Sequence, residues 1–102
     1  MDIGFDLLPV GVSELSNIRG IGLFPNPATD GRFNISLDAK QAIKEIAVTV
    51  TDITGREVLS RQYANPGSSF FEEINLSGAA RGMYFVRIVA DGEVISRRVS
   101  IQ

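Results

Sequence analysis

The sequence predicts an all-β fold, and three observations support this prediction. Short runs rich in β-branched and aromatic residues recur, turn-forming residues separate them, and no amphipathic helix of useful length interrupts them. The predicted strands are seven in number: 21–24, 32–37, 43–52, 57–63, 70–76, 82–90 and 93–101. Seven short strands at near-regular spacing are typical of an immunoglobulin-like, seven-stranded antiparallel β-sandwich. The cysteines and tryptophan of antibody domains are absent.

The first strand ends at a proline-rich stop. Residues 25–27 read Pro-Asn-Pro, and neither proline can donate a backbone hydrogen bond to a neighbouring strand. Ala-Thr-Asp-Gly at 28–31 then turns the chain. The second strand, 32–37, alternates apolar and polar residues, so we expect one of its faces to be buried.

Turn chemistry separates the next three predicted strands. A polar connection at 38–42 precedes the third strand, and Asp-Ile-Thr-Gly at 52–55 follows it. Asp at the start and Gly at the end are typical of a type I turn. Asn-Pro-Gly-Ser-Ser at 65–69 is the strongest loop signal in the chain, and it separates the fourth and fifth predicted strands.

The last two strands are predicted to form a hairpin. Asp91-Gly92 favours the positive φ angles of a two-residue turn. The strand before it, 82–90, is largely apolar on both faces, so we place it inside a sheet. The predicted core residues are Phe33, Ile35, Ile46, Val48, Val50, Ile74, Leu76, Tyr84, Val86 and Ile88.

Residues 1–20 show no clean hydrophobic period. We interpret them as a linker or arm, with the domain proper at 21–102. The arm is predicted to be flexible or to dock by pairing with a sheet edge, either its own or that of another copy. Pairing with another copy would give a weak homodimer. Residues 1–31 carry a charge of −3 and the remainder +1. The first 31 residues contain one basic residue, Arg19, and four acidic residues: Asp2, Asp6, Glu14 and Asp30.

Composition argues against several classes of function. The net charge of −2 implies no attraction to nucleic acid, and no segment approaches the roughly 20 apolar residues of a membrane span. Histidine and cysteine are both absent, which removes the usual general base, the thiolate nucleophile and the commonest metal ligands. We therefore expect no catalytic, cofactor or metal site. We also expect no direct insertion into a membrane.

Two adjacent arginines in the last strand invite a closer look. Arg97 shares its side of the strand with apolar Ile95 and Val99, whereas Arg98 points the other way. An inward-pointing charge can protect an edge strand from aggregation, and the residues alone favour that account. The alternative is a basic feature that a partner reads.

Four motifs in this order resemble one known family. They are Leu-Phe-Pro-Asn-Pro-Ala-Thr-Asp-Gly at 23–31, Asp-Ile-Thr-Gly-Arg-Glu-Val at 52–58, Gly-Met-Tyr-Phe-Val-Arg-Ile at 82–88 and Arg-Arg-Val-Ser-Ile-Gln at 97–102. Together they resemble the C-terminal sorting domain of the type IX secretion system, the type A sorting domain of Bacteroidetes. The motif positions are Pro25, Asn26, Pro27, Gly31, Asp52, Gly55, Gly82 and Tyr84.

The resemblance implies an address and not a catalyst. Cargo proteins with such a domain cross the periplasm, and the outer-membrane machinery recognises the folded domain and delivers the cargo to the cell surface. In many cargos a sortase cleaves upstream and attaches the cargo to a lipopolysaccharide. The cleavage candidates here are Gly11, Ser13, Ser16 and Gly20. The candidates for recognition by the translocon are Arg97, Arg98, Val99, Ile101 and Gln102.

A second interpretation is an immunoglobulin-like accessory module of a secreted hydrolase, which would bind carbohydrate or space other domains. Carbohydrate sites usually need an aromatic platform. The chain has no tryptophan, and its only tyrosines are Tyr63 and Tyr84. This interpretation is therefore the weaker of the two.

Overall fold

A computed structural model describes residues 16–102, which form one sheet of five strands paired in antiparallel fashion. The strands are β1 (Ile18–Phe24), β2 (Arg32–Thr51), β3 (Glu57–Asn75), β4 (Gly82–Ala90) and β5 (Glu93–Ile101). The predicted all-β class and antiparallel pairing are confirmed. Across the described residues there is no helix long and apolar enough to cross a membrane.

Strand β2 organises the sheet because it pairs with three others. Its N-terminal half lies between β1 and the C-terminal half of β3, with Phe33 opposite Ile74. Its C-terminal half lies between the N-terminal half of β3 and β4, so that Val48 faces Arg61 on one side and Ile88 on the other. Strand β5 then pairs with β4 alone among the named strands. The sheet curls where β2 exchanges β1 for β4.

The predicted count of seven strands is wrong, because two pairs of predicted strands are continuous. The second and third merge into β2, and the fourth and fifth merge into β3. The pairing register shifts between Asp38 and Glu45, and Asn65 and Gly67 opposite this stretch have φ angles of 52° and 85°. Their turn chemistry therefore bends a long strand instead of ending it. The immunoglobulin-like sandwich is not confirmed.

The core is apolar and agrees with the prediction. No charged or polar residue is buried among those described. Alternate residues of the strands contribute to one cluster, as the period of two along each strand requires. All ten predicted core residues are at most 5% exposed: Phe33, Ile35, Ile46, Val48, Val50, Ile74, Leu76, Tyr84, Val86 and Ile88.

The predicted hairpin at the end of the chain is confirmed. Ala90 pairs with Glu93 across Asp91-Gly92, whose φ angles are 48° and 88°. The Asp91 carboxylate also accepts the backbone N–H groups of Lys44 and Glu45, at 2.9 and 3.0 Å. The turn is therefore tied to the bend in β2.

The first two described residues, Ser16 and Asn17, are hydrogen-bonded to two strands of the sheet, β5 and β2. The carbonyl oxygen of Asn17 accepts the backbone N–H of Lys40 at 2.8 Å, and its side chain bonds both backbone groups of Gln41. Ser16 donates its hydroxyl to the Glu93 carboxylate, and β1 begins at Ile18. The boundary at residue 20 between arm and domain stays a prediction, and residues 1–15 lie outside the described part.

We expect Val48→Ala to lower the free energy of unfolding by about 2 kcal/mol, because it removes two buried methyl groups from the middle of β2. Urea unfolding monitored by circular dichroism measures this. Ser60→Ala on the adjacent strand is the control, since Ser60 is exposed and should change stability by no more than about 0.5 kcal/mol. Equal effects of the two substitutions would contradict this placement of the core.

Candidate functional site

The end of the chain is held against the segment that follows β1. The Asn26 side-chain amide donates to the carbonyl of Arg98 and accepts the backbone N–H of Ser100, both at 3.1 Å. The Ala28 N–H donates to the carbonyl of Ser100 at 2.8 Å, and the Gln102 N–H donates to the carbonyl of Ala28 at 3.0 Å. We call these contacts between residues 26–28 and 98–102 the terminal clasp.

The Pro-Asn-Pro-Ala sequence accounts for this geometry. Prolines on both sides of Asn26 lack an N–H group, so the backbone there cannot form a regular ladder. The asparagine amide carries both a donor and an acceptor, and it takes the place of a peptide group. Ala28 follows in a parallel bridge with Ile101 and is fully buried, so a larger side chain would not fit.

Gly31 allows the turn before β2 to lie against the connection after β3. Its φ is 80°, and a Cβ atom there would lie 2.7 Å from the Cα of Ser77. The carbonyl oxygen of Gly31 accepts the N–H of Leu76 at 2.7 Å. Any side chain at this position would separate the two segments.

The turn between β2 and β3 is built on one carboxylate. Asp52 accepts the backbone N–H groups of Thr54 and Arg56 at 2.9 and 3.0 Å, and its second oxygen lies 3.2 Å from the Arg56 guanidinium. The Thr54 hydroxyl also donates to it and is the main reason that the pKa of Asp52 lies below its ordinary value. The backbone N–H groups and Arg56 act in the same direction, whereas desolvation opposes them. Gly55 closes the turn with a φ of 87°.

Tyr84 holds the connection between β3 and β4. Its ring is buried, and its hydroxyl donates to the carbonyl of Ala80 at 2.5 Å. Gly82, with a φ of 146°, begins the strand that carries the tyrosine. The motif positions thus lie where separate parts of the chain are joined.

The recognition candidates divide into two groups. Val99 and Ile101 are buried, so their side chains belong to the core. Arg97, Arg98 and Gln102 are exposed, and neither arginine forms an ion pair with any residue in 16–102. Of the five recognition candidates, these three have side chains accessible to a partner of the folded domain.

Two apolar side chains accompany the arginines, and sequence reasoning did not single them out as functional. Phe85 lies opposite Arg98, and Met83 lies opposite Ser100. Both apolar residues are about 40% exposed. A two-residue turn at Asp91-Gly92 fixes which residues of β4 and β5 lie opposite each other. The predicted turn could therefore have identified these pairs.

Two of the four cleavage candidates lie within the described residues and two lie outside them. Gly11 and Ser13 lie outside the described residues. Ser16 contacts Glu93, and Gly20 pairs with Asp38 within the β1–β2 ladder. Within the described range, no three His, Cys, Asp or Glu side chains are grouped so that they could hold a metal ion.

Comparison with known families decides among the interpretations. The model of the Por_Secre_tail family, the secretion system C-terminal sorting domain, matches residues 22–102. The chain belongs to this family. It carries the C-terminal sorting signal of the type IX secretion system, which directs a protein to the cell surface or the extracellular space. The match spans the terminal clasp and all four motifs. The accessory-module interpretation is not supported, and no curated protein matches the chain.

In the sorting domain, Asn26→Ala should loosen the terminal clasp. It removes two hydrogen bonds, and we expect a stability loss of about 1 kcal/mol because water replaces them in part at this exposed site. Amide exchange at Ser100 should accelerate. Asn34→Ala is the matched control, since that side chain makes one long contact, at 3.4 Å, with the carbonyl of Phe24. Unchanged exchange at Ser100 in Asn26→Ala would contradict the clasp.

The Asp52 turn should make the stability depend on pH. The folded-state pKa lies below the ordinary 3.8, so the ionised carboxylate stabilises the fold above pH 3.8. This contribution is lost as the pH falls through the folded-state pKa. The difference in unfolding free energy between wild type and Asp52→Asn should therefore be constant near neutrality and narrow in acid. Thr54→Val should reduce the pH dependence, and a difference that widens in acid would refute the assignment.

Proposed function

We propose that the translocon reads the exposed surface at the end of β5, and that the terminal clasp presents this surface in a defined position. The observation that carries the proposal is the exposure of Arg97 and Arg98 directly before the buried residues Val99 and Ile101 of the same strand. The fold uses Val99 and Ile101 internally. It leaves the two guanidinium groups available to a partner.

The chemistry of this surface indicates what would bind it. Arg97 and Arg98 are exposed and line the surface beside Met83 and Phe85, so the exposed end of this hairpin combines positive charge with apolar area. A complementary partner has carboxylates around an apolar patch. Because the domain is folded before it is recognised, binding avoids the entropy loss that ordering a disordered tail would incur.

Cleavage by a sortase belongs to the same proposal. A protease needs an accessible, unpaired segment, whereas Gly20 pairs with Asp38 in β1 and Ser16 is hydrogen-bonded to Glu93. We therefore place the cut N-terminal to Ser16, where Gly11 and Ser13 remain the candidates. The cargo would cross the periplasm, lose the domain at the outer membrane and stay attached to the cell surface.

The domain itself acts as an address in this proposal and performs no catalysis. Its absence of histidine and cysteine is consistent with that role. The weak homodimer through the N-terminal arm is a separate proposal, and it concerns a different face of the molecule.

We expect a cargo fused to the domain with Arg97→Ala and Arg98→Ala to accumulate in the periplasm instead of at the cell surface. Both side chains are exposed, so the double variant should melt close to wild type. Cell fractionation with immunoblotting locates the cargo. Arg87→Ala, in the preceding strand, is the matched control. It should be delivered normally if the end of β5 alone is read.

Two further variants sharpen this test. Replacing both arginines with lysine keeps the charge but loses the planar guanidinium, so it separates charge from hydrogen-bond geometry. Removing the last residues does not test recognition separately from folding, because it also removes buried Ile101 and breaks the terminal clasp. Normal surface delivery of the double alanine variant would show that the arginines only protect the edge of β5.

A further inference from the structure

An open groove of about 800 Å³ lies at the end of the molecule where β2 turns into β3. One wall is the start of β3, and the other is the connection 76–82 between β3 and β4. Val58, Leu59 and Ala79 are half-buried in it, and they pack against the core beside Leu76. The groove therefore offers an apolar floor without opening the core. We call it the β3 groove.

The first half of β3 has an unused edge. Within the described sheet, β3 pairs with β2 alone, so the backbone groups on its other side have no strand partner. Residues 57–59 of this strand also line the β3 groove. A free strand edge beside an apolar floor is the arrangement to which an extended peptide adds as a further strand.

The charges around the β3 groove favour an acidic occupant. Arg61 and Arg81 lie on its rim, are exposed and form no ion pair with any of residues 16–102. Arg56 is already neutralised by Asp52, 3.2 Å away. Glu57 is the remaining acid, so two free arginines face one free carboxylate.

One segment of the chain has the matching chemistry. Residues 1–15 contain three acidic residues and no lysine or arginine. Within them, residues 2–7 read Asp-Ile-Gly-Phe-Asp-Leu, which alternates as a strand does. Its apolar members are Ile3, Phe5 and Leu7. Its aspartates, Asp2 and Asp6, alternate with the apolar residues and so belong to the opposite face of such a strand.

We propose that residues 2–7 of a second copy of this chain bind in the β3 groove as an added strand. The apolar side chains cover Leu59 and Ala79, and the aspartates face outward, where the long side chains of Arg61 and Arg81 reach them from the rim. Reciprocal exchange of the two segments gives a two-fold symmetric dimer with two identical contacts. This inference does not depend on the proposed recognition of β5.

The position of the segment within the fold favours a second copy over the same one. Ser16 is held at Glu93, which pairs with Ala90 at one end of β4, whereas Gly82 at the other end lines the β3 groove. A nine-residue strand separates these ends, about 26 Å at the rise of a β-strand. The strands β1 and β3 also lie on opposite sides of β2. Nine Cα–Cα steps join Leu7 to Ser16 and span about 32 Å at most, so only about 6 Å remain for passing around the sheet, little more than one interstrand spacing.

Sedimentation equilibrium of the full chain over a wide concentration range tests the proposal. We expect a monomer–dimer equilibrium, and Phe5→Ser should raise its dissociation constant at least about tenfold, because a buried phenylalanine contributes more than the 1.4 kcal/mol that this factor represents. Phe71→Ser is the matched control. Phe71 is 59% exposed but lies outside the β3 groove, so this substitution should leave the constant unchanged.

A charge exchange locates the contact. One variant carries Arg61→Glu and Arg81→Glu, and the other carries Asp2→Lys and Asp6→Lys. Each alone should dimerise at least about tenfold more weakly than wild type, whereas an equimolar mixture should recover the affinity, since opposite charges then meet in both grooves. Thermal melts confirm that each variant is folded.

Three results would overturn the proposal. The first is a chain that stays monomeric at every concentration, even if its amide spectrum shows the segment in its own groove. The second is an equal effect of Phe5→Ser and Phe71→Ser on the dimer. The third is a charge-exchange mixture that dimerises no better than its components.

Discussion

The pairing of residues 26–28 with residues 98–102 is the contact on which the rest of the fold depends. Strand β5 has β4 on one side, and its other side would be a free edge without this pairing. Terminal strands with one partner fray readily. The terminal clasp satisfies the outward-facing backbone groups of Arg98, Ser100 and Gln102, and it thereby keeps Val99 and Ile101 in the core. The Asn26 side chain donates a hydrogen bond that its neighbouring prolines, which have no N–H group, cannot donate.

The family motifs describe how the chain closes on itself more than how it meets a partner. Asn26 joins the segment after β1 to the end of β5, and Gly31 brings a turn against the β3–β4 connection. Asp52 organises the turn between β2 and β3, and Tyr84 holds the β3–β4 connection. Each depends on a particular side chain or φ angle, so each leaves a recognisable residue in the sequence.

Local patterns predicted the core and the hairpins because strand alternation and turn chemistry act over a few residues. The number of strands could not be predicted in this way. Asn-Pro-Gly at 65–67 has the same local preferences in a loop as in a bend, and the long pairing of β3 with β2 decides between them. Asn26 and Ser100 are 74 positions apart, so no local signal indicates their contact. The β3 groove is likewise formed by segments that only the tertiary fold brings together.

The terminal clasp also has a consequence for protein synthesis. A ribosome makes residues 26–28 long before residues 98–102, and the early segment has no partner during that interval. Strand β4 likewise has no partner on this side until β5 is made, so the core stays open at Val86 and Ile88 until residues 93–101 emerge. A chain whose translation stops early therefore exposes apolar surface to proteases and chaperones. The fold can therefore be complete only after residue 102 has been translated.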